Sequence, residues 1–69
     1  MKYFYYVVVN EENGKYFAYA ERVHGSNCIK HYFKADNIET VMPAATWWEA
    51  KEIAECWNEC YKNNGTYMF

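Results

Sequence analysis

The chain has 69 residues, a net charge of −2 and an aromatic content of 22%. A chain of this length forms a single domain, residues 1–69, with a small core, so large aromatic side chains must supply much of its buried area. The negative charge argues against a duplex nucleic-acid binder, which needs a basic face. Three cysteines, an odd number, predict reduced thiols and a cytoplasmic location rather than a secreted disulfide framework.

The first predicted element is a β-hairpin over residues 3–23. Its first half is aromatic and β-branched on both faces, which is typical of a central strand covered on both sides. Asn13-Gly14 favours a tight turn, because both residues tolerate a positive φ. The opening MKYFYYVVV resembles a secretion signal only superficially, since NEENGK interrupts the apolar run at once. No stretch approaches the length of a membrane span.

Two further strands are predicted before the helix. Residues 28–34 alternate in polarity, which indicates a partly exposed strand. Residues 38–42 form a fourth short strand, which we expect to end at Pro43 because proline has no amide donor for a ladder. Residues 66–69 form either an edge strand or a tail packed on the core.

A helix is predicted over residues 46–64. Thr46 and Glu49 have the spacing of a capping box, and Gly65 supplies the stop. Asn58 falls with the charged residues on the polar side and flanks. The inward stripe repeats at three- and four-residue spacing and comprises Trp47, Ala50, Ile53, Ala54, Trp57, Cys60 and Tyr61.

These elements predict an α+β fold, an antiparallel sheet of three to five strands with one helix on one face. One helix covers only one face, whereas the first strand is apolar on both. A contiguous uncovered aromatic face predicts a partner, most simply a second copy of the chain in a homodimer. The candidate interaction residues are Tyr3, Tyr5, Tyr16, Tyr32 and Trp48.

Cysteines and histidines are the candidates for chemistry. Two ligand pairs raise the possibility of a zinc site, but the chain lacks a C-x-x-C knuckle and a regular strand directs Cys28 and His31 to opposite faces. Cysteine–histidine catalysis with His24 or His31 as the base lacks any positioning group. We therefore expect no enzyme, no metal and no cofactor. The zinc candidates are Cys28, His31, Cys56 and Cys60.

The polar side of the helix carries four glutamates. The spacing of Lys51–Glu55 and Glu59–Lys62 is that of ordinary surface ion pairs, so a solvated face is the preferred interpretation over docking to a basic partner. Trp48 lies nearly opposite the inward stripe. It either folds over residues 43–45 or anchors an interface, since tryptophan is frequent among binding hot spots.

The function that we expect is a small, non-enzymatic interaction or regulatory module that self-associates through an aromatic sheet face or an edge strand. The alternative is a weak single-stranded nucleic-acid binder that stacks bases on the sheet tyrosines. Few cations lie on the strands to neutralise phosphates, which makes nucleic acid the lesser hypothesis. A small zinc-binding domain is third.

The helix residues EAxxIAxxWNxxYKxNG run into TYMF, and the chain opens with a YYVVV–NG hairpin. This pattern resembles a group of short uncharacterised proteins of Gram-positive gut bacteria and their mobile elements. The resemblance spans nearly the whole chain and implies a cytoplasmic bacterial accessory protein, such as an element-encoded regulator or inhibitor. It implies no functional residue.

Overall fold

The computed structural model describes residues 3–24 and 38–69, which form an α+β fold. Strands β1 (Tyr3–Glu12), β2 (Lys15–His24) and β3 (Ile38–Ala44) precede helix α1 (Trp47–Asn63). In the described ranges the sheet is antiparallel with three strands in the order β2-β1-β3. The strand predicted near residues 28–34 lies outside the described residues.

Within these same ranges, the structure contains no helix that is long and apolar enough to cross a membrane.

The predicted hairpin is confirmed. Asn13 and Gly14 have φ values of 55° and 78°, as a tight turn with two positive φ angles requires. The pairing then runs without a shift from Glu12 opposite Lys15 to Tyr3 opposite His24. An uninterrupted register fixes which side chains of β2 share a face with those of β1.

Strand β3 is longer than predicted, because Pro43 does not end it. Pro43 lies opposite Tyr6, and the strand continues to Ala44. Residues of an antiparallel strand alternate between those that bond to a given neighbour and those that do not. At Pro43 the backbone nitrogen points away from β1, so the missing N–H costs no ladder bond. The expectation of a stop at Pro43 was therefore wrong.

Helix α1 is confirmed with the predicted bounds, since Thr46 and Asn64 are its capping residues. The Thr46 hydroxyl accepts a hydrogen bond from the Glu49 amide at 3.1 Å. Ala50 and Ala54 are buried against a cluster formed by Val7, Val9 and Ala18. Small residues at these positions let the helix lie close to the sheet. Two members of the predicted stripe are exposed instead of buried. Trp47 is exposed in the first turn, and Cys60 is exposed at the margin beside Glu39 and Thr40 of β3.

Strand β1 is buried on both faces, as predicted for the central strand. Val7 and Val9 face the helix, whereas Val8 and Val23 lie on the opposite face and are 0% and 2% exposed. The expectation of a contiguous uncovered face is therefore wrong at the centre of the sheet. Exposed apolar surface persists on that face at Phe4, which is 44% exposed.

Residues 66–68 continue the sheet by a single parallel bridge between Tyr67 and Tyr16 rather than by a full strand. The Tyr16 amide donates to the Thr66 carbonyl at 2.7 Å, and the Met68 amide donates to the Tyr16 carbonyl at 2.9 Å. Gly65, with φ of 73°, makes the turn that brings this segment back from α1.

Candidate functional site

The candidate site lies along the outer edge of β2. In this strand Tyr16, Ala18, Ala20 and Arg22 oppose β1 in non-hydrogen-bonded pairs, so their N–H and C=O groups point away from β1. An open row of such groups is a template for pairing with another chain. At Tyr16 the C-terminal segment satisfies both groups. The outer edge of β2 is therefore already hydrogen-bonded at Tyr16, near the start of the strand.

At Ala18 the partner is a side chain of the helix. The Ala18 amide donates to Asn58 Oδ1 at 2.7 Å, and Asn58 Nδ2 donates to the Ala18 carbonyl at 2.8 Å. One carboxamide thus makes the two bonds that a neighbouring strand would make. Asn58, which the sequence placed on the flanks or the polar side, lies on the flank of α1 that faces the edge of β2.

At Ala20 the edge is open among the described residues. The outward N–H and C=O of Ala20 have no hydrogen-bond partner among residues 3–24 and 38–69. The outward amide of Arg22 donates to the carboxylate of the preceding residue, Glu21, at 3.1 Å in an exposed bond. Among the described residues, the protein thus closes this edge at Tyr16 and Ala18 with its own groups and leaves it open at Ala20.

A groove accompanies the open part of the edge. Two adjoining cavities of about 220 and 540 Å³ are both lined by Trp47, which is 36% exposed. The Trp47 ring lies 6.4 Å from that of Tyr5. We call this surface the edge groove and define it by Tyr5, Ala20, Arg22, Trp47 and Lys51. It combines unpaired backbone groups with an accessible aromatic wall.

The two cations of the edge groove contact aromatic rings. The Arg22 guanidinium lies 4.6 Å from the centre of the Tyr3 ring, and Lys51 Nζ lies 5.8 Å from that of Trp48. Among the residues that the structure describes, the single ion pair is Lys62–Glu59 at 3.6 Å. The predicted Glu59–Lys62 pair is thus confirmed, and the predicted Lys51–Glu55 pair is wrong because Lys51 turns towards Trp48.

The predicted interaction residues have different positions. Tyr3 and Tyr5 lie at or beside the edge groove. Tyr16 is half-buried, stacks on Tyr61 at 5.2 Å and holds the C-terminal segment, which is a structural role. Trp48 is 73% exposed, so it does not pack down over residues 43–45. Tyr32 lies outside the described residues.

The Tyr16–Tyr61 stack also changes the acidity of a phenol. Burial raises the pKa of Tyr61 above its ordinary value, and the neighbouring Tyr16, Cys60 and Glu39 raise it further. The fold therefore favours the neutral hydroxyl at this position.

The proposed zinc ligands divide between two regions. Cys28 and His31 lie outside the described residues, and Cys56 and Cys60 are exposed free thiols on α1. Across 3–24 and 38–69, no group of three or more histidine, cysteine, aspartate or glutamate side chains is placed to hold a metal ion. Glu52, Glu55 and Glu59 border a hollow of about 910 Å³ outside the helix, where Glu59 pairs with Lys62.

Sequence reasoning missed Ala20, Trp47 and Asn58 as members of one surface. Asparagine is a poor residue for the middle of a helix, and its place between Trp57 and Glu59 was a signal that its side chain has a partner. Trp47 was assigned to the core because it follows the helical period.

Comparison with models of protein families, with curated protein sequences and with solved structures gave no match. The likeness to short proteins of Gram-positive gut bacteria stays a prediction.

Proposed function

We propose that this protein is a non-enzymatic interaction module that binds an extended segment of another polypeptide along the open part of β2. The observation that carries the proposal is the outward backbone of Ala20, which has no hydrogen-bond partner among the described residues, beside the exposed ring of Trp47. In recognition by strand addition, main-chain hydrogen bonds supply affinity and pockets for alternate side chains supply specificity. The edge groove contains both elements.

Self-association is proposed for a different surface. Phe4 is 44% exposed on the sheet face opposite α1, and Phe69 is 79% exposed with its ring 4.9 Å from that of Phe17. Large exposed aromatic side chains are frequent at the centres of protein interfaces. A second copy of the chain is the simplest partner for this face.

Selection from a displayed library of random eight-residue peptides tests the edge groove. Two neighbouring tryptophans provide a matched pair of variants, since Trp47 lines the edge groove and Trp48 lines neither of its two cavities. We expect selected peptides to lose about tenfold or more in affinity for Trp47→Ala, the loss of an aromatic hot spot of about 1.4 kcal/mol or more. Affinity for Trp48→Ala should remain within about twofold.

A third variant addresses the backbone. Ala20→Pro removes the outward N–H while leaving the bonds to β1, because that amide does not point to β1. Circular dichroism verifies folding, and peptide binding should be lost. A library that yields no enriched peptide, or peptides that depend on Trp48 and not on Trp47, would overturn the proposal.

A further inference from the structure

An open strand edge accepts a parallel or an antiparallel partner, and the segment that is already bound to this edge runs parallel to β2. Residues 66–68 already lie against the same edge and run parallel to β2, with Tyr16 bonded to Thr66 and Met68. Asn58 continues this row at Ala18, and Ala20 is the next outward position. A segment that continues this row of hydrogen bonds in the same direction pairs with Ala20 first and with Arg22 second.

The side chains beside these two positions differ. Beside Ala20, Trp47 lines the cavity of about 220 Å³ and offers aromatic surface to an apolar side chain. Beside Arg22, Trp47 and Tyr5 line the cavity of about 540 Å³ together with Glu21. At the Arg22 end the guanidinium has a ring as its neighbour and no carboxylate within ion-pair distance among the described residues. The guanidinium of Arg22 is therefore available to form an ion pair with a carboxylate of a bound segment.

Three other charged groups face the edge groove. The Glu21 carboxylate is held by the Arg22 amide, which is the donor that an added strand must use. Lys51 and Glu55 lie one helical turn apart at the Ala18–Ala20 end and offset each other in net charge. The Arg22 end is therefore where an anion is favoured, and Glu21 competes with the incoming segment for the same amide.

A second copy of the chain is a poor occupant of this edge. Because Asn58 occupies the outward groups of Ala18, an antiparallel two-fold pairing within β2 as far as His24 that engages both Ala20 and Arg22 of each copy is centred on Glu21 or on Arg22. Either arrangement sets two like charges directly opposite each other, which destabilises a strand pair. This repulsion between like charges favours a partner that is a different polypeptide and not a second copy of the chain.

Building on the proposed function, we infer that the edge groove selects an extended partner segment that runs parallel to β2. This segment carries a large apolar residue followed two positions later by aspartate or glutamate. The apolar side chain lies against Trp47 beside Ala20, and the carboxylate meets the guanidinium of Arg22. A spacing of two keeps both side chains on the same face of the added strand.

The test uses a capped peptide, acetyl-SVTFTETV-amide, and two relatives titrated into ¹⁵N-labelled protein. The first relative replaces the glutamate by glutamine, and the second reverses the sequence. We expect the Ala20 amide to show the largest shift change. The acidic peptide should bind about fivefold more tightly than the glutamine peptide in low salt, the upper range of an exposed ion pair. Added salt should reduce the difference in affinity between the acidic and the glutamine peptide, because it screens the charges.

Variants of the two charged residues separate a charge effect from a structural one. The Arg22→Gln variant should bind the two forward peptides, acidic and glutamine, with equal affinity. Its affinity for the glutamine peptide should be the same as that of the wild-type protein. A merely structural role of Arg22 would not produce this result. Glu21→Ala should strengthen both forward peptides, because it frees the Arg22 amide. Trp47→Ala should weaken the binding of both forward peptides, whereas Trp48→Ala should leave the binding of both unchanged.

The failures of the two proposals are distinguishable. Equal binding of the acidic, glutamine and reversed peptides, with loss in Trp47→Ala, would overturn this inference and leave the proposed function intact. Absence of binding to all three peptides would also overturn the inference. The library selection, which presupposes no charge or direction, judges the proposed function separately.

Discussion

Asn58 and Ala18 are joined by two hydrogen bonds of 2.7 and 2.8 Å between a helical carboxamide and the backbone of a strand. The bonds connect residues 40 positions apart in the sequence. They orient α1 along β2 and remove one position from an otherwise exposed edge. A pair of side-chain bonds is thus both a packing constraint and a limit on where another chain can bind.

Replacing Asn58 tests the structural part of this role. Asn58→Ala leaves the outward N–H and C=O of Ala18 without their partner, and we expect a loss of about 1–3 kcal/mol in the free energy of unfolding. The higher helix propensity of alanine offsets about 0.5 kcal/mol of this loss. Urea denaturation followed by circular dichroism measures the change.

Asn63→Ala is the matched control, because Asn63 is exposed in the last turn of the same helix. It should change the free energy of unfolding by less than about 0.5 kcal/mol. Equal stabilities of the two variants would show that the Asn58 bonds contribute nothing measurable.

Amide hydrogen exchange should distinguish successive outward positions of β2. The Ala18 amide is bonded to Asn58, and the Tyr16 amide to Thr66, so both should exchange slowly. The Ala20 amide should exchange faster than either. In Asn58→Ala the Ala18 amide should lose its protection while that of Tyr16 is retained. Equal protection of Ala18 and Ala20 in the wild-type protein would contradict the division of the edge into closed and open parts.

The stability of the fold should fall in alkali partly through Tyr61. Its pKa is raised in the folded state, chiefly by burial, above the ordinary value of about 10. The folded protein therefore holds this proton more tightly than the unfolded chain, and the stabilisation is complete below about pH 10 and lost as the pH rises through the folded pKa.

Tyr61→Phe isolates this contribution, because the other tyrosines titrate in both proteins. The difference in unfolding free energy between wild type and Tyr61→Phe should be constant from about pH 7 to 9 and shift against the wild type above about pH 10. Urea denaturation at each pH provides the values. Parallel curves across this range would refute a raised pKa at Tyr61.

Self-association should depend on the sheet face opposite α1. Sedimentation velocity from about 5 to 100 µM, a range that reveals weak dimers, should show a rising average mass. Phe4→Ser should reduce this rise, because it removes exposed aromatic surface, whereas Trp47→Ala should not. A monomer at every concentration would eliminate the homodimer. If self-association depended on Trp47 alone, the dimer interface would be assigned to the edge groove.

The elements that the sequence predicted correctly are those with local signals. The Asn13-Gly14 turn, the Thr46 cap and the stop at Gly65 each depend on residues within a few positions of one another. Pro43 was misjudged because its cost depends on which way the backbone nitrogen faces, and this is set by the register of β3 against β1. Periodicity does not contain that register.

The candidate site was less predictable for a related reason. Asn58, Trp47 and Ala20 meet only because α1 is rotated so that one flank follows the edge of β2. A helical period identifies the inward stripe but not which strand lies under each flank. The sequence therefore predicted an aromatic sheet face or an edge strand as the interaction surface without deciding between them, and among the described residues the open backbone groups lie at the outer edge of β2.

The last turns of α1 and the segment after Gly65 close Tyr16 and Ala18 from one continuous stretch of chain. If this stretch detaches by local unfolding, both closures are lost together while the β1–β2 hairpin persists. The outward groups of Tyr16, Ala18 and Ala20 then form one continuous template. The end of the helix is thus the protein's safeguard against edge-to-edge aggregation, and substitutions that fray it should promote fibrils before they unfold the domain.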